Sequence, residues 1–200
     1  MGITIKVVRR ALALAAVLAG LGGAACSVRA EPAFLGKALE SRGELSFALR
    51  ATDGRIHRPA DWQGQVLAVV FGYTHCPDYC PTTLARLGQA TRLLPVGAAF
   101  QPLFVTLDPL RDTFKVLRPY VRGFHPAILG LRGNPAETEA LAGQFRVLFE
   151  KVEESATYYS IDHSGGIFLV DRHGRLRYKE PDQLSPAEIA ADISLLLGED

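Results

Sequence analysis

Near-continuous apolar runs punctuate the chain: VLAVVFGY over 66–73, PLFVTLD over 102–108 and GGIFLVD over 165–171. Runs this short and uninterrupted predict strands covered on both faces. Between them the period changes. From Pro81 to Leu94 the chain places Leu84, Leu87 and Leu94 at helical spacing, residues 112–123 predict a second helix, and Pro135 to Phe145 a third with proline in its first turn. ELSFALR over 44–50 alternates as a half-buried strand does, with Thr52-Asp53-Gly54-Arg55 as the turn after it, and AILGLRG over 127–133 reads as a short strand. GGIFLVD and RLRYKE flank Arg172-His173-Gly174 as a hairpin. Ser185-Pro186-Ala187-Glu188 then opens a last helix with a capping serine, a first-turn proline and an acid three residues after the cap. The pattern predicts an α/β fold, a central mixed sheet flanked by helices with a C-terminal hairpin and helix.

The N-terminus follows another rule. Lys6, Arg9 and Arg10 precede ALALAAVLAGLGGAA, an uncharged stretch of fifteen small or apolar residues with the shape of a secretory signal. Residues 1–26 are therefore read as a signal peptide or membrane anchor, 27–40 as a linker and 41–200 as one folded domain. Gly23-Ala24-Ala25-Cys26 resembles a lipoprotein cleavage box that would leave a lipid on Cys26, while Val28-Arg29-Ala30 suits an ordinary signal peptidase. Both routes stay open, as does an uncleaved anchor, and each places the domain outside the cytoplasm. The formal charge of +1 owes its sign to this segment; without it 19 basic residues face 21 acidic ones. No basic face or stripe in the sequence points to nucleic acid.

Cys76 and Cys80 lie in YTHCPDYCPTT, directly after the first apolar run. A thiol pair on the loop from a central strand into a helix is where a thioredoxin-like fold exposes reactive sulfur. In an oxidising compartment such a pair tends to close as a disulfide, but a staple across three residues constrains little. Reactivity or ligation explains the pair better. Proline disfavours helical dihedrals in the residue before it, so Cys76 and Cys80 are expected to be extended or in a turn, with Cys80 as N-cap and Pro81 as first helical residue. The positive end of the helix would favour thiolate. Thiolate both attacks disulfides and binds metal, so local chemistry leaves the two open.

A third group lies far along the chain, in Asp162-His163-Ser164-Gly165-Gly166 before IFLVD. Thioredoxin-type oxidoreductases carry a cis-proline at the start of that strand; here no proline occurs from 136 to 180, and His163 stands in its place. Two thiolates and one imidazole make a soft site suited to Cu(I), with imidazole also accommodating Cu(II). Zinc more often takes a fourth protein ligand, and none is evident.

FGYTHCPDYCPTTL, FVTLDPLRDTFKVLRPYV and IDHSGGIFLVDRHGRL, in that order and spacing, resemble the Sco/SenC family of copper-binding, thioredoxin-like assembly factors for cytochrome c oxidase. The resemblance runs over about 41–197. It implies that Cys76, Cys80 and His163 bind one copper ion, as Cu(I) or Cu(II). It further implies that the protein delivers copper to, or keeps reduced, the binuclear copper site of an oxidase subunit, with Cys76 and Cys80 also a redox-active disulfide pair. The expected setting is the periplasmic side of a bacterial inner membrane, anchored, lipidated or released, with an upstream periplasmic copper donor. Leu107 replaces the valine usual before Asp108, and Gly165-Gly166 are expected to loosen the His163 loop. Competing readings are a thiol-disulfide oxidoreductase, a thiol peroxidase and a redox or copper sensor. Among the other polar candidates, Asp78 reads as a turn residue that can touch metal or partner, Asp108 as an oxygen ligand or an outer partner, and His75 as structural or interactive. His57, His125 and His173 read as solvated turn residues, and Phe71, Tyr73 and Trp62 as packing.

Overall fold

Val66–Gly72 is buried at all seven positions because it runs through the middle of a sheet with side chains packed on both faces. The computed structural model describes residues 33–40, 43–156 and 158–199. The expected signal or anchor of residues 1–26, with Cys26, lies outside them. In chain order the elements are β1 (Lys37–Ala38), β2 (Leu49–Ala51), β3 (Ile56–His57), a 3-10 turn (Pro59–Trp62), β4 (Val66–Gly72), α1 (Tyr79–Leu93), β5 (Phe100–Thr106), α2 (Phe114–Phe124), β6 (Leu129–Arg132), α3 (Pro135–Gln144), β7 (Phe149–Glu153), β8 (Tyr159–His163), β9 (Ile167–Val170), β10 (Leu176–Glu180) and α4 (Pro186–Gly198).

Eight strands form the main sheet in the order β1-β10-β9-β4-β5-β6-β2-β3, and β7 pairs with β8 in a separate ribbon. β4 and β5 run parallel, as do β5 and β6, while β9 lies antiparallel to β4, so the sheet is mixed as the alternation predicts. Successive β4 side chains feed opposite faces. Leu67, Val69 and Phe71 join Trp62, Phe145 and Phe168 on one side; Val66, Ala68 and Val70 join Leu84, Leu87, Leu117, Ile189 and Ile193 on the other.

Three strand assignments depart from the sequence reading. Of ELSFALR only Leu49 and Arg50 join the sheet, in β2 with Ala51. The strand is short because Gln144 of α3 takes over at Ser46: its side chain accepts the Ser46 N–H at 2.8 Å and donates to the Ser46 carbonyl at 2.8 Å. The segment read as linker is ordered from residue 33 and supplies edge strand β1, since buried Asp192 of α4 accepts the N–H groups of Leu35 and Gly36 at 2.8 Å each. The β7–β8 ribbon was not foreseen. Four of the five β7 residues are exposed, so its sequence carries no apolar alternation to read.

Beside Asp192 lies Glu180, the last residue of β10, only 1% exposed. Burial, reinforced by the neighbouring Asp192 carboxylate, pushes its pKa from 4.5 up to about 8. The folded chain therefore holds a proton here that the unfolded chain releases near 4.5, and stability falls as pH rises through that interval. Urea denaturation between about pH 5 and 8 is expected to show this decline, with Glu180→Gln flattening it.

Candidate metal centre

The carboxyl end of β4 delivers the cysteine loop. Leu107 N–H bonds the Gly72 carbonyl at 2.7 Å, carrying the β4–β5 ladder to the edge of the sheet. Beyond it, the carboxylate of Asp112, wholly buried, accepts the Thr74 N–H at 3.0 Å, the Thr74 hydroxyl at 2.6 Å and the Thr106 hydroxyl at 2.6 Å. Three donors on one buried carboxylate fix the residues leading into Cys76, because each is a charge-assisted bond away from water. The Cys76 N–H then turns back to the Tyr73 carbonyl at 3.3 Å.

Helix α1 begins earlier than predicted. Asp78 is the N-cap, so Cys80 is the second helical residue and Pro81 the third. Pro81 costs no bond there, since first-turn N–H groups have no partner within a helix, and its ring meets no earlier helical carbonyl. The shift turns Cys80 inward. Its sulfur is fully buried against Gly72, where a Cβ would lie 2.6 Å from Sγ and 3.1 Å from the Phe104 ring. Cys76 stays half-buried, its Sγ accepting the Cys80 N–H at 3.4 Å, and both thiols are free.

His163 closes the site from the end of β8, 83 residues beyond Cys80, with Nε2 3.5 Å from the Cys80 sulfur. Its Nδ1 lies 3.4 Å from the Ser164 carbonyl. A carbonyl only accepts, which assigns the proton to Nδ1 and leaves the Nε2 lone pair facing the sulfurs. The ligand atoms of Cys76, Cys80 and His163 all lie within 4.8 Å of one another, a spacing one ion can bridge. The imidazole stands edge-on between Tyr73 at 6.2 Å and Tyr79 at 5.7 Å.

The histidine strand is braced by Arg111. Its guanidinium stacks 3.5 Å from the centre of the Tyr159 ring and donates to the Tyr159 carbonyl at 2.9 Å. Asp108 pairs with Arg111 Nε and accepts the Tyr159 hydroxyl at 2.9 Å. Asp108 is therefore committed to the brace and is not among the clustered ligand atoms. Neighbouring groups close on the glycines after His163: a Cβ on Gly165 would fall 1.8 Å from the Tyr79 hydroxyl, and Gly166 adopts φ +123°, a conformation that favours glycine. Tyr79 reaches over Gly165 to donate to Asp182.

Burial sets the charge states. It pushes the Cys80 thiol well above its ordinary value, overriding the helix terminus that was expected to favour thiolate. It also lowers the His163 pKa, so the imidazole stays neutral and able to ligate near pH 7.

The remaining candidates lie apart from the cluster. Asp78 is exposed and meets Thr82 Oγ1 at 3.5 Å; His75 is bonded at Nδ1 to the Thr74 hydroxyl at 3.1 Å. His57 corrects its expected solvation: it is buried, bonded to Asp53 at 2.8 Å and stacked on Trp62 at 5.0 Å. His125 is half-buried at the end of α2 and His173 is exposed, while Phe71, Tyr73 and Trp62 pack as expected. Sequence reasoning missed Asp112, Thr74, Arg111 and Tyr79. The DPLRDT stretch carried no readable signal for them, since acids and an arginine after a strand look like a surface loop until the fold supplies their partners.

Two outcomes test this geometry. Alkylation of the reduced protein with iodoacetamide near pH 8, followed by peptide mass spectrometry, is expected to label Cys76 well before Cys80. Thr74→Val keeps the shape but removes one donor from Asp112, and is expected to cost about 1–3 kcal/mol in urea denaturation, with Thr74→Ser close to wild type.

Comparison with known proteins gives a consistent result. The SCO1/SenC family model matches residues 37–198. The chain is 38% identical over 178 residues to the mitochondrial SCO2 homologue of Bos taurus, covering 82% of this chain and 66% of that one, just under two thirds of the relative's length. Copper-bound ScoI of Bradyrhizobium japonicum superposes with a TM-score of 0.71 at 33% identity, over 76% of this chain and 98% of that one. Apo Sco1 of Thermus thermophilus gives 0.74 at 35% identity, over 84% and 99%.

Proposed function

The chain belongs to the SCO1/SenC family, and on that premise we propose that it is a copper chaperone holding one ion through Cys76, Cys80 and His163. The observation that carries the reading is the convergence of two sulfurs and one neutral imidazole nitrogen within 4.8 Å, from segments 83 residues apart. This donor set fits copper. Thiolates and one imidazole favour Cu(I), and three protein ligands leave room for an incoming group.

The protein's own groups prepare the exchange. His163 enters without losing a proton, while Cys80 releases one as it takes up the metal, so loading acidifies the solution. Thiolates of an acceptor can join the ion from the side of half-buried Cys76 before the donor sulfurs leave. The acceptor implied by the family is the binuclear copper site of an oxidase subunit. Residues 1–26 would carry the domain to the periplasmic face of a membrane, where an upstream donor loads it.

A second reading, reduction of the acceptor's cysteines, is favoured by the unequal exposure of the thiols. Cys76 thiolate would attack the acceptor disulfide, and Cys80, once deprotonated, would displace the mixed disulfide. Two electrons pass to the acceptor and the Cys76–Cys80 disulfide is left. Anaerobic copper titration of the reduced protein is expected to give one equivalent bound. His163→Ala is expected to weaken affinity by more than the roughly 10–100-fold that losing an outer partner costs. Unchanged affinity would sink the three-ligand site. Disulfide exchange that survives the same substitution separates the reductase chemistry from metal holding.

A further inference from the structure

Between α1 and β5 the chain runs Leu93-Leu94-Pro95-Val96-Gly97-Ala98-Ala99 without a polar side chain, yet this loop is not core. Leu94 alone is buried; Leu93 is 60% exposed, Val96 is fully exposed, and Pro95, Gly97 and Ala99 are exposed with them. A contiguous apolar surface of this kind is unfavourable in water unless something covers it.

Cations border the loop. Arg92 donates to the Phe124 carbonyl at 2.9 Å, which joins the base of the loop to the end of α2. Towards the end of α2, Arg118 and Arg122 lie one turn apart and exposed while Leu117 and Val121 are buried, and no acid occurs from residue 113 to 136. Arg172 lies at the same end of the sheet, bonded to the Gly64 carbonyl at 3.1 Å, since Val66 pairs with Phe100 and Leu67 with Val170. None of these four cations forms an ion pair among the described residues. Arg118 and Arg122 also flank a cleft of about 260 Å³ closed by Thr52, Pro126 and Ile128. Its one acid, Asp53, is spent on the Arg55 N–H at 3.0 Å and on His57 at 2.8 Å.

We propose that this end of the domain docks on an anionic phospholipid surface, with the tip at 93–99 entering the headgroup region and the arginines meeting lipid phosphates. The two features together choose the occupant. An acidic protein face would use the cations but leave the apolar tip uncovered, and a purely apolar partner would bury cations without counterions. An anionic bilayer offers negative charge at its surface and hydrocarbon just beneath it. The inference rests on the proposed placement of the chain at a membrane. It also gives that placement an orientation, because the cysteine loop follows the opposite end of β4 and so faces away from the lipid.

Both hydrophobic cores and every strand of the described residues lie within 33–200, so this unit is testable without residues 1–32. It is mixed with vesicles of about 40 mol% phosphatidylglycerol in phosphatidylcholine, or of phosphatidylcholine alone, and sedimented. Binding to the anionic vesicles is expected, weakening by about tenfold as salt rises from about 50 to about 300 mM. Arg118→Glu with Arg122→Glu, and separately Val96→Asp, are expected to abolish it while copper affinity stays at wild type. Equal binding to both vesicle types, or anionic binding that survives the charge reversal, overturns the proposal. So does displacement by millimolar inorganic phosphate beyond that caused by chloride at equal ionic strength, which would assign the cleft to a soluble anion. Loss of copper binding with vesicle binding intact would count against the metal site and not against this surface.

Discussion

A buried carboxylate with three donors aimed at it holds the candidate metal centre in place. Asp112 joins Thr74, just before Cys76, to Thr106 at the end of β5. Its sequence neighbour Arg111 reaches the other way, to Tyr159 on the strand that ends at His163. One short segment after a central strand thus sets both halves of a site whose ligands lie 83 residues apart. Hydrogen bonds to a buried charge are worth more than neutral ones, and their loss leaves the charge uncompensated. Such a brace has few alternative arrangements, which suits a site that must keep its ligands in place without metal.

Legibility in the sequence followed the physics of each signal. β4, β5 and β9 announced themselves because strands packed on both faces are apolar throughout. α4 and its capping serine were readable because Ser185 and Glu188 satisfy each other locally. The β7–β8 ribbon was hidden, since an exposed strand needs no apolar pattern and its pairing is a long-range fact. At the site, Cys76, Cys80 and His163 could be named from residue type and motif, but the groups that position them could not. Asp112 and Arg111 look like surface charges until the fold shows what surrounds them. The first residue of α1 was misread for a related reason: the local bias of a residue before proline yielded to the burial of the Cys80 side chain.

Burial also reverses the electrostatic expectation at the thiols. A helix start favours thiolate by a modest amount near a surface, whereas removing a sulfur from water opposes charge much more strongly. Cys80 obeys the larger effect. The two cysteines are therefore not equivalent despite their shared loop, one being a protonated inner thiol and the other reachable from outside. His163, kept neutral by the same burial, would be matched in the proposed copper site to an inner thiol that gives up its proton on binding.

The bare backbone at Gly72 carries a last consequence. With Cys80 Sγ seated against it and Phe104 behind, the inner sulfur has a wall on its far side. In the proposed exchange a partner's atoms arrive only over Cys76 and the His163 rim. Ligands must then be replaced in a set sequence, outer sulfur first and inner sulfur last, which makes the wall of the pocket a timing element as much as a packing one.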